Sequence, residues 1–424
     1  MSTAAAKRAG MPGGGRVRLG SVLRSVAVGA FVLLCTAWYW HRCWMLQRPS
    51  PAPSDFQFYY EAAGRARQGG SPYIEGGYVY PPLLALLLVP LTRFDYLTAR
   101  WIWFWFSHAV FLGAGWLLLR HLGRGAAALC CVALVWAAGG GAEDGFGLGQ
   151  VDAVLVLLAI VAMVRGGALR AVAVGAGFAL KLLPGILVLI DRRRRTLAAT
   201  AAIGAVLMAA PWAVVRFGLK GPARPESMAY LDGTPCVLSW SLPSVAVRFA
   251  DWPGRMGKLP LDWTFGYDLP KLRMTGVQRG ISLAVSVLTL GLGLAAFARI
   301  PARKPDWQAA SPLHEGAALL CLAVAASPVS WWHYPVLEYP AMAVLLTGAI
   351  RARRAGVFAA TLTAAACSYL VPDAILKYYF HQQERWPDYP WVIQFWTAVP
   401  AFSALILFGL LLYRLRDSGT AHVE

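Results

Sequence analysis

Apolar runs recur along the whole chain, and several of them reach about 20 residues, which is the feature that most limits its possible folds. The hydrocarbon core of a bilayer needs a helix of roughly 20 apolar residues to cross it. Charged residues make up only 14% of the chain, whereas soluble domains carry roughly 25%. A soluble enzyme, a disulfide scaffold and a disordered chain are therefore excluded. The sequence predicts an all-α polytopic membrane protein.

These runs predict about twelve membrane-spanning helices. They lie near residues 25–46, 80–91, 101–119, 126–140, 151–164, 171–190, 197–217, 277–298, 316–330, 335–350, 355–371 and 391–413. The second and fourth runs are short for a bilayer. A cleaved signal peptide is the alternative for the first run, but the run lacks an A-x-A site and its end is rich in Trp.

The basic residues indicate how the helices are oriented. The net charge is +18, and many Lys and Arg lie in short loops, where they indicate orientation and contact with anionic lipid rather than nucleic acid. If the N-terminal tail is cytoplasmic, strict alternation also places Arg192–Arg195 and Arg351–Arg354 in the cytoplasm. All dense basic clusters then share one side, as the positive-inside rule expects. Abundant Ala, Gly and Arg together with the absence of Asn indicate a GC-rich genome, which is typical of many bacteria. We therefore expect a multi-pass protein of a bacterial plasma membrane.

This topology divides the chain into three parts. Residues 1–24 form a basic tail that we predict to be disordered and cytoplasmic, residues 25–414 form the transmembrane domain, and residues 415–424 form a second cytoplasmic tail. Two long loops of the domain, 47–79 and 218–276, fall on the outer face.

The first outer loop carries a predicted short helix with an acidic start. Ser54 is the expected N-cap, Asp55 opens the helix, and the helix ends near Gly69. Asp55 and Tyr59 share one face, and Glu61 lies on an adjacent one. The many aromatic residues favour a helix in the interface plane, which would hold Asp55 where lipid headgroups meet water. The simpler interpretation is that Asp55 only stabilises the helix N-terminus electrostatically.

Three stretches, in this order, resemble segments of glycosyltransferase family 87. The first combines Asp55-Phe56, Tyr59-Tyr60 and Ala62-Ala63 with Tyr78-Val79-Tyr80-Pro81-Pro82. The second runs from Gly149-Gln150-Val151-Asp152 through Gly175 to Lys181-Leu182-Leu183-Pro184, and the third is Ser327-Pro328-Val329-Ser330-Trp331-Trp332-His333. The second stretch departs from the family pattern at Asp152, where the family usually has Asn.

The resemblance implies a GT-C-like bundle of transmembrane helices and a membrane glycosyltransferase. The family includes α-mannosyltransferases that use polyprenol-phosphate-mannose. It therefore implies a polyprenyl-phosphate sugar donor, a lipid-linked or envelope glycan as acceptor, and Asp55 as the catalytic base. A phosphate leaves as a weak base, whereas an acceptor hydroxyl needs a base, so one carboxylate suffices for an inverting displacement.

The candidate substrate-binding residues accompany Asp55 in these stretches. They are Tyr59, Glu61, Tyr80, Lys181, Trp332 and His333. His333 is expected to contact the donor phosphate or the reacting sugar, and the alternative is a histidine in the aromatic belt of the interface. Lys181 lies in an apolar run, where a charge is costly, so we expect a structural or lipid-phosphate role.

Several common motifs are missing from the chain. It has no D-x-D, no Walker A sequence, no G-x-G-x-x-G after a strand and no H-E-x-x-H, so we expect no metal and no cofactor. Arabinofuranosyl transfer from a polyprenyl phosphate remains a close alternative to mannosyl transfer. A transporter or flippase of lipid-linked intermediates is the alternative from another class, although no internal repeat supports it.

Overall fold

The computed structural model describes residues 14–51, 54–74, 78–138, 140–190, 194–222, 239–250, 275–300, 311–328, 330, 333–370, 374 and 390–420. Within these residues the regular structure is helical, apart from isolated β-bridge residues, among them the pair Gly70 and Lys220. In the described part of the chain, five helices are long and apolar enough to cross a membrane, and a sixth is added if the bent pair Ala126–Ala137 and Gly140–Leu148 is one span. The chain is an all-α membrane protein, as predicted, and the number twelve stays a prediction.

The α-helices are numbered here in chain order. They are α1 (Gly14–Tyr39), α2 (Asp55–Arg67), α3 (Pro82–Leu88), α4 (Tyr96–Leu122), α5 (Ala126–Ala138), α6 (Gly140–Leu148), α7 (Asp152–Val164), α8 (Gly167–Leu180), α9 (Arg194–Ala213), α10 (Leu242–Ala250), α11 (Gly276–Ala298), α12 (Ser311–Ala326), α13 (Tyr339–Arg351), α14 (Ala355–Ala365) and α15 (Pro390–Thr420). Three 3₁₀ segments are Val89–Arg93, Leu183–Ile190 and Tyr334–Glu338, and π-helical turns extend α1, α9 and α14.

Contacts between the helices identify two ends of the bundle. At one end, called the Asp55 end, Asp55 at the start of α2 is hydrogen-bonded to Gln150, which lies between α6 and α7. At the opposite end, the Arg351 guanidinium of α13 donates a hydrogen bond of 2.5 Å to the carbonyl oxygen of Leu122, where α4 finishes. α4 has 27 residues, so it covers about 40 Å between the two ends. α12 lies in the core, because the side chains of residues 317–326 are all buried.

The predicted span at residues 80–91 is wrong, because this segment packs beside α2 instead of crossing. The hydroxyl of Tyr60 donates to the Phe94 carbonyl at 2.7 Å, and Arg67 donates to the Thr92 carbonyl at 2.7 Å. The hydroxyls of Ser54 and Tyr96 are hydrogen-bonded at 3.1 Å, so α4 begins next to the residue that precedes α2. α3 and its 3₁₀ segment therefore start and finish at the Asp55 end.

The predicted span at residues 171–190 is also wrong, because it consists of two antiparallel segments. α8 ends at Leu180, and the 3₁₀ segment Leu183–Ile190 folds back along it. The two segments approach so closely that a Cβ at Gly177 would lie 2.9 Å from Pro184 and one at Gly185 would lie 2.6 Å from Phe178. The reversal places Lys181 at the Asp55 end and Ile190 near the opposite one.

These two corrections cancel each other for the rest of the chain. One predicted crossing is lost before α4, and one reversal is gained after α8, so residues beyond Ile190 keep the side that alternation predicts for them. Only the segments between the two corrections change sides. Gln150, for example, lies at the same end as Asp55.

The first two helices follow the sequence closely, with three differences. Residues 14–24, which we predicted to be disordered, are the first turns of α1. α2 forms as predicted with Ser54 at the N-cap position, but the Ser54 hydroxyl contacts Tyr96 and makes no capping hydrogen bond. Phe56 and Tyr59 are fully buried in the bundle, so only part of the aromatic side of α2 is available to an interface.

The end of the chain is helical to Thr420, where a tail was predicted from residue 415.

Candidate functional site

The site is built around the turn between α6 and α7. Gly149 in this turn has a φ of +72°, which is a left-handed conformation that favours glycine. A Cβ there would lie 2.6 Å from the Cβ of Phe56, so glycine is also required by the close approach of α2. The Trp103 indole N–H donates to the Gly149 carbonyl at 2.9 Å and holds the turn in place. This packing brings the next residue, Gln150, against the start of α2.

Gln150 connects Asp55 to two hydrogen-bond donors. Its Nε2 donates to Oδ2 of Asp55. Its Oε1 accepts from the Tyr59 hydroxyl at 2.7 Å and from the Lys181 ammonium at 3.2 Å. Because both donors reach the same oxygen, the amide group has one favourable orientation, in which its NH₂ faces the carboxylate. Gln150 is 3% exposed, so these bonds are shielded from solvent.

Lys181 is a buried cation whose partners all lie at the Asp55 end. It follows the last residue of α8, and its Nζ is 3.0 Å from Oδ1 of Asp152, the first residue of α7. The ammonium also lies over the Tyr334 ring at 4.5 Å and the Tyr80 ring at 5.4 Å. A buried ammonium is tolerated when it is paired and surrounded by such groups. Strict alternation predicted that Lys181 lies in the middle of a continuous span. This prediction is wrong, because α8 ends at Leu180.

His333 lies on the other side of Asp152. Its Nε2 is 3.6 Å from Oδ2 of Asp152, and within the described part of the chain neither ring nitrogen has a hydrogen-bond partner. Burial lowers the pKa of His333 to about 3, with Asp152 acting in the opposite direction. The ring is thus neutral near pH 7, and its contact with Asp152 is not an ion pair at that pH. A neutral imidazole keeps one N–H to donate and one nitrogen to accept.

Asp55 is the half-buried carboxylate of this cluster. Burial raises its pKa from 3.8 to about 6, while Lys181 and the hydrogen bond from Gln150 lower it, and Asp152 raises it further. The carboxylate is thus ionised at neutral pH and more basic than an ordinary aspartate. Both properties suit a group that accepts a proton from a substrate hydroxyl.

The structure brings together most of the predicted site residues. Asp55, Tyr59, Tyr80, Lys181 and His333 are linked by the contacts above, and the Tyr59 and Tyr80 rings meet edge to face with centroids 5.2 Å apart. Glu61 stands apart: it is exposed, accepts from Gln57 at 2.6 Å and lies 3.9 Å from Arg65. Trp332 lies outside the described residues.

The sequence analysis missed the roles of Gln150 and Asp152. Both belong to the second stretch that resembles the family, but their chemistry was not assigned there. The signal that points to them is a pair of polar side chains in an otherwise apolar region, 29 and 31 residues before a buried lysine. Charged and polar groups at such positions are retained when they have partners.

The sequence matches one known protein family over much of its length. The sequence model of glycosyltransferase family 87 matches residues 78–328, which is more than half of the chain. The matched region contains Gln150, Asp152 and Lys181, begins after Asp55 and ends before His333. No curated protein matches the chain significantly. The chain belongs to glycosyltransferase family 87 and is a membrane glycosyltransferase.

Proposed function

We propose that the enzyme transfers a hexosyl residue, most readily mannosyl, from a polyprenyl-phosphate sugar to a lipid-linked or envelope glycan. The observation that carries this proposal is the Asp55 carboxylate, which has a pKa near 6 and is held by Gln150, whose amide oxygen also accepts a hydrogen bond from Lys181. Transfer from a lipid-phosphate donor requires one base for the acceptor hydroxyl and hydrogen-bond donors or cations for the phosphate. Asp55 is the proposed base, and His333 and Lys181 are the proposed groups for the phosphate.

The proposed reaction is a single displacement. Asp55 takes the proton from an acceptor hydroxyl, and the oxygen attacks the anomeric carbon from the face opposite the phosphate. The bond between the anomeric carbon and the phosphate oxygen breaks, and polyprenyl phosphate leaves with the bonding electrons. Because the phosphate is a weak base, this step needs no second carboxylate as a general acid, unlike glycoside hydrolysis. The configuration at the anomeric carbon is inverted.

His333 is the proposed contact for the donor phosphate. Its ring is neutral near pH 7 and has one N–H to donate, and among the described residues no protein group takes that bond. Lys181 adds a positive charge at the same end of the bundle, although Asp152 already pairs with it. Tyr59 and Tyr80 are proposed to shape the sugar pocket. Glu61 and Trp332 remain proposed substrate contacts.

The basic residues support an outer-face location for the site. Arg351 bonds the last turn of α4, and Arg354 contacts Tyr413 near the end of α15, so these cations lie at the end opposite Asp55. The positive-inside rule then makes that end cytoplasmic, together with both chain termini. A polyprenyl-phosphate donor on the outer leaflet would meet Asp55 there.

A transfer assay tests this function. The purified protein in lipid nanodiscs is incubated with radiolabelled polyprenyl-phosphate-mannose and an envelope lipid extract, and a parallel sample receives the arabinofuranosyl donor. We expect a labelled product from the mannosyl donor whose new linkage is inverted relative to the donor. Product from the arabinofuranosyl donor alone would instead support the alternative sugar. In sealed vesicles, movement of donor without a covalent product would refute transfer and support the transporter.

A further inference from the structure

Asp152 gives the site a second negative charge. It is 3% exposed at the start of α7, and its Oδ1 is 3.0 Å from the Lys181 ammonium. Asp55 is the other carboxylate of the cluster, and His333 is neutral near pH 7. The cluster therefore holds two negative charges and one positive charge. Asp152 is also where the chain departs from the family pattern, which usually has Asn.

The ion pair of Asp152 bears on Asp55 through two intermediate groups. Asp152 holds Lys181, and Lys181 donates to Oε1 of Gln150 at 3.2 Å. If the Gln150 amide turned over, its NH₂ would face the ammonium, donor against donor. Lys181 therefore keeps the amide turned so that its NH₂ bonds Oδ2 of Asp55.

We infer that Asp152 is a positioning residue that acts on Asp55 both by its own charge and by holding Lys181 against Gln150, and that it thereby sets the pH range in which Asp55 accepts a proton. This inference rests on the proposed role of Asp55 as the base. Asp152 itself does not touch the acceptor hydroxyl in this scheme. Its charge repels that of Asp55, and its ion pair fixes the cation that attracts Asp55.

The other titratable groups around Asp55 do not supply the electrostatic effect that Asp152 and its ion pair have on Asp55. They are Tyr59 on the same helix, Tyr80 before α3, the exposed Arg93 after α3, Tyr96 of α4, and His333 and Tyr334 before α13. Burial raises the pKa of Tyr59 and of Tyr334, and His333 is neutral near pH 7. Among the described residues, Lys181 and Asp152 are the charged groups that act on the pKa of Asp55.

The sign of the expected change follows from these charges. In Asp152→Asn, Asp55 loses a repulsive neighbour and keeps the attraction of Lys181, so its ionised form is favoured. The acidic limb of the kcat/KM profile should move to lower pH by about one unit. Asp152→Glu keeps the charge, so its limb should stay near that of the wild type. Asp95→Asn is the matched control, because Asp95 is an exposed N-cap of α4 and Asn also caps helices.

A double variant tests whether the effect passes through Lys181. Asp152→Asn with Lys181→Gln removes both members of the buried pair, which also protects against the unfolding that an unpaired ammonium would cause. Since the double variant also loses the attraction of Lys181 for Asp55, its acidic limb should lie at higher pH than that of Asp152→Asn. Equal limbs for the single and double variants would refute the route through Lys181. An Asp152→Asn limb that coincides with the wild-type limb would refute the inference as a whole.

An infrared titration separates this inference from the proposed function. The difference spectrum between wild type and Asp55→Asn reports the ionisation of Asp55 without any turnover, and the same difference is recorded in the Asp152→Asn background. We expect the Asp55 midpoint to fall in that background by the same one unit or so. An unchanged midpoint would overturn the role of Asp152 even if transfer depends on Asp55. Absence of transfer by the wild type would overturn the proposed function and leave this titration fully interpretable.

Discussion

Asp55→Asn is the substitution that most directly separates chemistry from structure at this site. Asn has almost the same shape, and its amide oxygen can still accept the hydrogen bond from Gln150 Nε2. Asn also favours the start of a helix, so α2 should be retained. The substitution removes the negative charge and with it the ability to accept a proton.

The expected magnitude follows from the pKa of Asp55. With a pKa of about 6, the wild-type carboxylate is roughly nine-tenths ionised at pH 7, so nearly every molecule contains an active base. Loss of a positioned general base lowers the rate by about 10² to 10⁴, which corresponds to roughly 3–5 kcal/mol of transition-state stabilisation. Binding of the donor should change little, because Asp55 is not a proposed phosphate contact.

Stability should move in the opposite direction to activity. The pKa of Asp55 is raised from 3.8 to about 6 by folding, so ionisation of this group opposes folding as the pH rises through that window. Asn carries no such penalty. The variant should therefore be at least as stable as the wild type at pH 7, and its stability advantage should disappear below about pH 4.

The assay measures initial transfer rates in nanodiscs and thermal unfolding of the same samples. Asp95→Asn is the matched control, since Asp95 is an exposed carboxylate at the start of α4 and is not a proposed substrate contact. Glu61→Gln is assayed separately, as a test of the proposed substrate contact on α2. A folded Asn variant that retains a third or more of the wild-type rate would refute the assignment of Asp55 as base. A large fall in melting temperature would refute the electrostatic reasoning.

Three further predictions test other parts of the structure. His333→Ala should raise the KM for the donor in a folded protein, measured by transfer rate against donor concentration; an unchanged KM would return His333 to an aromatic belt. Gly149→Ala should destabilise the protein by about 2–4 kcal/mol in thermal or denaturant unfolding, because it adds left-handed strain and a clash with α2; wild-type stability would contradict the close packing. In a cysteine-free background, Gln68→Cys and Gly125→Cys should react with impermeant thiol reagents from opposite sides of the membrane, whereas the twelve-span order predicts the same side.

The sequence was sufficient to predict the class of fold and the position of the first helices. Length and hydropathy identify α1, and Ser54-Asp55 marks the start of α2. Hydropathy failed at residues 80–91, because an apolar run that packs on a neighbouring helix has the same composition as one that faces lipid. It also failed at Lys181, where the chain reverses within an apolar run.

The site could be predicted only in part, because its residues meet through tertiary packing. Asp55 and His333 were found from short motifs, but their distance in sequence gives no information on which groups lie between them. Gln150 reaches Asp55 only because Gly149 permits the turn after α6 to approach α2. The pairing of Asp152 with Lys181 depends in turn on the reversal after α8.

The fixed orientation of the Gln150 amide has a consequence for how the enzyme completes its cycle. Gln150 occupies Oδ2 of Asp55, so in the proposed mechanism the other oxygen, Oδ1, is the one that receives the substrate proton. A carboxyl group protonated on Oδ1 still accepts a hydrogen bond through Oδ2. The network therefore keeps the same bonds before and after proton transfer, and no protein dipole has to turn during the reaction. A site that needs so little reorganisation is ready for the next acceptor as soon as Oδ1 releases its proton to solvent.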